Sequence, residues 1–301
     1  MKQGDGTPTS SWVGNPQGGV SSPDPIILPD PARRFRVTAA RLADLSEDHP
    51  MADWLMFLCN LSQAQGEAAA AIAHATPGAT LSAADEHSRH PAWREALRLI
   101  VGRFRIMQET PDALKSVAEE LERLAEEELE ELADDFLGGT VAPDKAGQVL
   151  FVAAALQVYF TCLAAGLDVD EVRLLDQRGL CPCCGSTPVA GVVTASGNTP
   201  GVRYLYCSLC STAWNHVRAV CVSCGQSGKV ALRGIEGEGE AIRAETCDDC
   251  HSYSKLFYLS HDADLDAYAD DLASLGLDIM VSEAGWARHA PNPLLLGGSE
   301  A

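Results

Sequence analysis

From Arg33 onward the apolar positions recur at helical spacing. RRFRVTAARLADLSEDHP brings Phe35, Val37, Leu42 and Leu45 near one face, and Pro50 biases His49 out of the helical region, so this helix ends there. MADWLMFLCNLSQAQGEAAAAIAHA comes next with Trp54, Leu55, Phe57, Leu58 and Leu61 spread round much of its circumference, which predicts a helix inside a bundle. Pro77, Gly78 and Pro91 break the pattern over 77–92, leaving a loop with a short turn around Ala83–Ser88. WREALRLIVGRFRIM resumes the period with Trp93, Leu97, Ile100, Val101 and Phe104. Pro111-Asp112 then opens DALKSVAEELERLAEEELEELADDFLGG, expected as one helix that turns Leu114, Val117, Leu121, Leu124, Leu132 and Phe136 to a core and stops at Gly138-Gly139. GQVLFVAAALQVYFTCLAAGL, 147–167, is apolar enough to suggest a membrane span. Gln157, Tyr159 and Thr161 interrupt it and no Lys/Arg cluster flanks it, so a central buried bundle helix is expected. DVDEVRLLDQRGL, 168–180, links the helices to a cysteine-rich region.

There the texture changes. VAGVVTA, VRYLYC, VRAVC, KVALRGI and AIRAETC are short, β-branched runs between breakers and predict two small antiparallel ribbons, with Trp214 and Tyr253 packing them. Near the C-terminus a helix is expected through Asp264–Ser274, with Leu265, Tyr268, Leu272 and Leu275 on one face. The chain then becomes extended, and Asn292-Pro293-Leu294-Leu295-Leu296 either docks on the body or awaits a partner.

The ribbons are interleaved with four C-x-x-C pairs: Cys181/Cys184, Cys207/Cys210, Cys221/Cys224 and Cys247/Cys250. A two-residue gap lets both sulfurs of a pair face one ion, and two pairs complete the tetrahedral thiolate set that Zn²⁺ or Fe accepts. Every paired cysteine of the first half recurs forty positions later, as Arg203 does at Arg243 and Gly185 at Gly225, so a unit has been duplicated. Each unit closes its own site, the first from Cys181, Cys184, Cys207 and Cys210, the second from Cys221, Cys224, Cys247 and Cys250. Gly185 and Gly225 suit a knuckle that needs φ > 0. A disulfide framework is disfavoured, because tandem C-x-x-C pairs read as metal sites and nothing marks the chain as secreted. Cys183 is a spare thiol inside the first knuckle. Cys59 and Cys162 are core thiols, and His216 and His251 are superfluous beside four thiolates per site.

Composition narrows the partners. With 46% apolar residues in 301 the chain has room for real cores, and a net charge of −20 with pI near 4.6 opposes a nucleic-acid footprint. Eleven acidic residues against two basic ones occupy Asp112–Asp135, read as a solvated helix face in preference to a docking surface. Residues 1–30, dense in Gly, Pro and Ser, read as a mobile tail without a signal-peptide core, which together with thiolates that need reducing conditions points to the cytoplasm. No G-x-S-x-G, P-loop or Rossmann fingerprint occurs in a suitable context, and four-thiolate sites leave no open position for substrate.

CPCCGSTP, RYLYCSLCSTAWNHVR, CVSCGQSGKV, RAETCDDCHSYSK, ADDLASLGLDIMVSEAGWAR and NPLLL, in that order and spacing, resemble the formate dehydrogenase accessory protein FdhE family, and RLADLSEDHPMADWLMFLCNLSQAQ is similar to its N-terminal region. The resemblance implies a cytoplasmic, non-enzymatic maturation factor that binds the catalytic subunit of a formate dehydrogenase and holds two iron ions in rubredoxin-like sites, with zinc as the alternative metal. The metal role falls on the eight paired cysteines. Cys183 departs from the family pattern. The expected fold is α+β: a tail (1–30), an all-α domain (31–178), two tandem rubredoxin-like or zinc-ribbon modules of four cysteines each (179–220 and 221–260), and a C-terminal helix and extended tail (261–301). The partner surface is expected on the metal region, where the strand of Arg203, Tyr204 and Tyr206 is held by Cys207 and Cys210. A rubredoxin-type electron carrier and a zinc-ribbon interaction module are the rival readings, membrane insertion is not expected, and self-association is left open.

Overall fold

The computed structural model describes residues 22–73, 89–195 and 200–295. The turn expected around Ala83–Ser88 and the tail residues 1–21 lie outside them. The fold is α+β, with a helical bundle followed by a sheet that carries two four-cysteine clusters.

The first helix, α1 (Pro31–Ser46), starts at Asp30, whose side chain accepts from the N–H groups of Ala32 (3.0 Å) and Arg33 (3.2 Å), with Pro31 supplying a preset φ in the first turn. Its buried stripe is Phe35, Thr38, Ala39 and Leu42, a strict i, i+3, i+4, i+7 set that leaves Val37 half-buried. Helices α2 (Ala52–Ile72) and α3 (Ala92–Ile106) follow as expected and pack side by side.

The long acidic helix is in fact two, α4 (Asp112–Arg123) and α5 (Glu126–Gly138). Leu124 and Ala125 are extended at the break, with no Gly or Pro to announce it, and the Glu128 carboxylate accepts the Ala125 N–H at 2.8 Å. The break lets two short helices each turn an apolar face to the bundle: Ala118 and Leu121 from α4, Leu129, Leu132 and Ala133 from α5. The acidic run keeps the solvent exposure expected of it while part of it pairs with basic side chains of neighbouring segments. Arg89 reaches Glu130 (2.8 Å) and Asp134 (2.7 Å), Arg94 reaches Glu126 (2.7 Å) and Glu130, and Arg105 reaches Glu122 (2.8 Å).

All of this surrounds α6 (Ala146–Ala165), where every residue from Val149 to Ala164 is buried. The 23-residue helical stretch Pro143–Ala165 is apolar enough to cross a membrane, yet 89% of its apolar window is buried inside the protein, as a central bundle helix requires.

The two ribbons are not separate. Strands β1 (Ile26–Ile27), β2 (Pro188–Val193), β3 (Arg203–Cys207), β4 (Ala213–Asn215), β5 (Val230–Arg233), β6 (Ile242–Cys247) and β7 (Ser252–Tyr258) form one sheet in the order β1-β4-β3-β2-β7-β6-β5, with β8 (Ala287–Arg288) beside β7. Each repeat contributes three antiparallel strands, and the repeats join where β2 runs parallel to β7, with Gly191 opposite Leu256 and Val192 opposite Phe257. VRAVC is a turn, not a strand. The third strand of the first repeat is Ala213–Asn215, and its counterpart β7 follows the closing cysteines of the second. Residues 22–30, expected in the tail, supply β1, whose Ile26 is buried and pairs with Trp214.

Pairing across the sheet divides its faces. Leu205 and Trp214 lie opposite one another and belong to the core shared with the helices, whereas Val192 and Phe257 sit on the other face with Ala267 and Tyr268. Trp214 therefore packs the sheet to the bundle, while Tyr253 packs a satellite core with Leu277 and Val281.

The C-terminal expectation needs correction. Residues 264–268 are not helical, because Asp266 turns its carboxylate back to cap the N–H groups of Tyr268 (3.1 Å) and Ala269 (2.8 Å). The helix is the short α7 (Ala269–Ala273), and the segment expected to be extended forms α8 (Leu275–Glu283). The closing segment docks, with Leu294 in the main core and the Asn292 amide donating to Asp271 at 3.0 Å. Beneath it Lys255, fully buried, bonds the Asp271 carbonyl (2.8 Å), the Ser274 hydroxyl (2.9 Å) and Asp278 (2.6 Å), and Arg288 pairs with Asp271 and Asp278.

Candidate metal centres

Each C-x-x-C turn ends in left-handed backbone. Gly185 (φ 76°) and Gly225 (φ 73°) do so after the leading pairs, as their glycines suggested. Ser211 (φ 61°) and His251 (φ 51°) do so after the closing pairs, where no glycine marks the position. The same bonds close both leading turns. Gly185 N–H reaches Cys181 O at 3.0 Å, and Gly225 N–H reaches Cys221 O at 3.0 Å.

These turns gather the cysteines four plus four. Cys181, Cys184, Cys207 and Cys210 form one group and Cys221, Cys224, Cys247 and Cys250 the other, with all sulfurs of a group within 4.8 Å of one another. Closest approaches are 3.5 Å (Cys181–Cys210), 3.4 Å (Cys184–Cys207), 3.7 Å (Cys221–Cys250) and 3.7 Å (Cys224–Cys247). A tetrahedron with metal–sulfur bonds of about 2.3 Å has edges of about 3.8 Å, so both groups have the dimensions of a four-thiolate site. All eleven cysteines are unpaired, so the disulfide framework has no support in the structure.

The electrostatics of the first group also fit a cation. Burial pushes the Cys181 and Cys210 thiols well up, while hydrogen bonds from Cys181, Cys207 and Cys210 hold Cys184 well down, so protons are divided unevenly among four crowded sulfurs. A divalent ion replaces those protons with one shared partner. N–H groups of Leu209 and Cys210, each 3.4 Å from the Cys207 sulfur, supply further positive potential. Cys183 lies against the set, where hydrogen bonds from Cys181 and Cys210 hold its thiol down to about 4.

The two clusters differ in what covers them. The first lies in the main core, with its cysteines 0%, 3%, 0% and 0% exposed. Polar side chains of α6 hold its closing turn: the Gln157 amide donates to Ser208 O (2.8 Å), and the Thr161 hydroxyl meets that of Ser211 (3.0 Å). Arg34 on α1 donates to the Ser211 hydroxyl at 3.2 Å, and the Tyr268 hydroxyl to Cys207 O at 3.0 Å. Gln157 and Thr161, which interrupt the apolar run of α6, therefore have a second meaning. Their spacing of four, on one face of an otherwise apolar helix, was the available signal that this face meets polar backbone. In the second cluster Cys247 and Cys221 are buried, Cys250 is half-buried and Cys224 is exposed.

His216 and His251 stand apart from both groups. His216 is buried against the Arg203 guanidinium and its ring is pushed down to about 4, by burial first and by Arg203 second. His251 is exposed.

The strand of Arg203, Tyr204 and Tyr206 is not a contact surface. Arg203 is 1% exposed and Tyr204 6%, while Tyr206 is half-buried with its ring edge-on to Tyr268. Arg203 instead reaches across β2 and β7 to Glu245 on β6 at 2.5 Å, tying the two repeats together through a buried ion pair. Gly191 lies under this crossing, where a Cβ would stand 3.4 Å from Arg203 Cδ and 2.9 Å from Leu256 Cδ1.

Three segments of the chain match descriptions of one family: FdhE N-terminal over residues 23–176, FdhE central domain over 180–218 and FdhE C-terminal domain over 219–295. The chain is 37% identical over 286 residues to a protein FdhE homolog of Edwardsiella ictaluri, spanning 91% of this chain and 92% of that one. It is 34% identical over 288 residues to protein FdhE of Escherichia coli, spanning 91% and 92%. The crystal structure of the FdhE protein from Pseudomonas aeruginosa superposes with a TM-score of 0.78 at 33% identity, covering 91% of this chain and 99% of that one.

Proposed function

Because the chain belongs to the FdhE family, we propose that it is a cytoplasmic, non-enzymatic maturation factor for a formate dehydrogenase, binding the catalytic subunit and holding two metal ions, iron with zinc as the alternative. The observation that supports this reading is the pair of closed four-sulfur clusters. Cys181, Cys184, Cys207 and Cys210 would hold one ion and Cys221, Cys224, Cys247 and Cys250 the other. Four thiolates saturate a tetrahedral ion, so the ion would supply rigidity or an electron couple rather than a site for substrate.

Rigidity serves binding directly. Knuckles held by a metal lose little conformational entropy when a partner docks, which favours the exposed turns at 224–229 and 248–251 over floppy loops of the same length. The helical bundle supports the first cluster from below through Gln157 and Thr161, so it acts as a frame for the metal region.

The experiment is affinity purification of the tagged full chain from cells grown without oxygen, followed by metal analysis, a visible spectrum and identification of co-purifying chains. Two ions per chain together with a formate dehydrogenase catalytic subunit are expected. A metal-loaded protein that retains no such subunit, and whose deletion leaves formate oxidation in cells unchanged, refutes the proposal.

A further inference from the structure

The forty-residue repeat makes the molecule its own control. Both clusters have the same ligand spacing, left-handed backbone at the same position after each turn and nearly the same sulfur separations. What differs is cover. Gln157, Thr161, Arg34 and Tyr268 hold down the first cluster's closing turn, and its four cysteines are at most 3% exposed. The second cluster faces outward, and the run from Cys224 to Lys229 is exposed, as are Asp248, Asp249 and His251 on the opposite turn.

We infer that the second cluster is a solvent-open, exchangeable metal site entered at Cys224, able to trade its ion with soft chelating or thiol-bearing ligands, whereas the first keeps its ion as part of the core. The inference rests on the reading of both clusters as metal centres. Exchange of a bound ion is limited by access of the incoming donor and by local opening of the site, and both are set by burial.

Cys224 is the arm that opens. Cys221 and Cys247 are buried, Cys247 ends β6 inside the sheet, and Cys250 has the Ser252 hydroxyl 3.0 Å from its sulfur. Cys224 is the most exposed of the four, and the residues after it, up to β5, belong to no strand. In the exchange step the incoming sulfur takes the place of the Cys224 sulfur, which receives the proton the incoming thiol gives up. No electron changes hands.

The test uses the full chain loaded with zinc and the chromogenic chelator pyridylazoresorcinol in excess. Of two ions per chain, one is expected to leave in a fast phase and the other at least about tenfold more slowly, the slow phase tracking global opening. C224S should begin with one ion and show only the slow phase, with the circular dichroism of the bundle retained. Iodoacetamide followed by peptide mapping should label Cys224 before Cys181, Cys184, Cys207 or Cys210. Release of both ions in one phase, or survival of the fast phase in C224S, overturns the inference while leaving two metal centres in place. A chain that binds no zinc at either cluster overturns the metal reading and this inference with it.

Discussion

Removing the Glu245 carboxylate should unsettle the whole sheet, because it is the counter-ion of an arginine with nowhere else to go. Arg203 is 1% exposed and its guanidinium reaches Glu245, His216 and the carbonyls of Val217 and Val220, while its Nε has no partner. Among the described residues Glu245 is the one carboxylate paired with it. Breaking a buried pair from one side strands the other charge and costs about 3–5 kcal/mol. That is a large part of the roughly 5–15 kcal/mol that holds a domain folded. At about 2–4 °C per kcal/mol, Glu245→Ala should lower the thermal midpoint by about 6–20 °C, and guanidinium unfolding should report a matching loss. Replacing both partners with apolar residues, as in R203M/E245L, should recover most of the loss, since no buried charge remains. A Glu245→Ala midpoint within about 2 °C of the parent, or a double variant no better than the single one, would refute the account of a stranded cation.

Gly191→Val should place side-chain atoms in the path of Arg203 and against Leu256, costing about 1–3 kcal/mol. Combined with Glu245→Ala it should cost less than the sum, because both break one crossing, and a double-mutant cycle measures the shortfall. His216 is held neutral when folded, to about 4, and regains its usual 6.5 when unfolded. Its contribution to stability is therefore complete above pH 6.5, declines as pH falls from 6.5 to about 4, and then levels off, a total of about 3 kcal/mol. His216→Gln should remove that slope, and a stability difference between parent and variant that stays constant across this range would contradict it. Asn292→Ala takes a donor from buried Asp271 and an acceptor from the Leu294 N–H, for a loss of about 1–3 kcal/mol in denaturant unfolding.

The sequence by itself determined the features that local patterns encode. Helical periodicity located the bundle, its apolar excess marked α6 as the central helix, and the C-x-x-C spacing with its forty-residue repeat paired the cysteines into the two groups that fold together. A knuckle is a four-residue event, so its ligands and its glycine are written side by side in the chain. Other features depend on residues far apart in sequence, and only the tertiary structure decided them. The Leu124–Ala125 break has no local signal and arises from packing α4 and α5 on the bundle. The fusion of two ribbons into one sheet depends on β2 meeting β7, more than sixty residues away, over the glycine that Arg203 crosses. Arg203 and Tyr204 read as contact residues by type and are buried by position, since residue type sets what a side chain can do while the fold sets what it touches. The inequality of the two clusters is the clearest case. Their cysteines are equivalent in sequence, and what separates a sealed site from an open one is a helix face carrying Gln157 and Thr161, which the fold lays over the first closing turn while Cys224 in the second repeat stays in solvent.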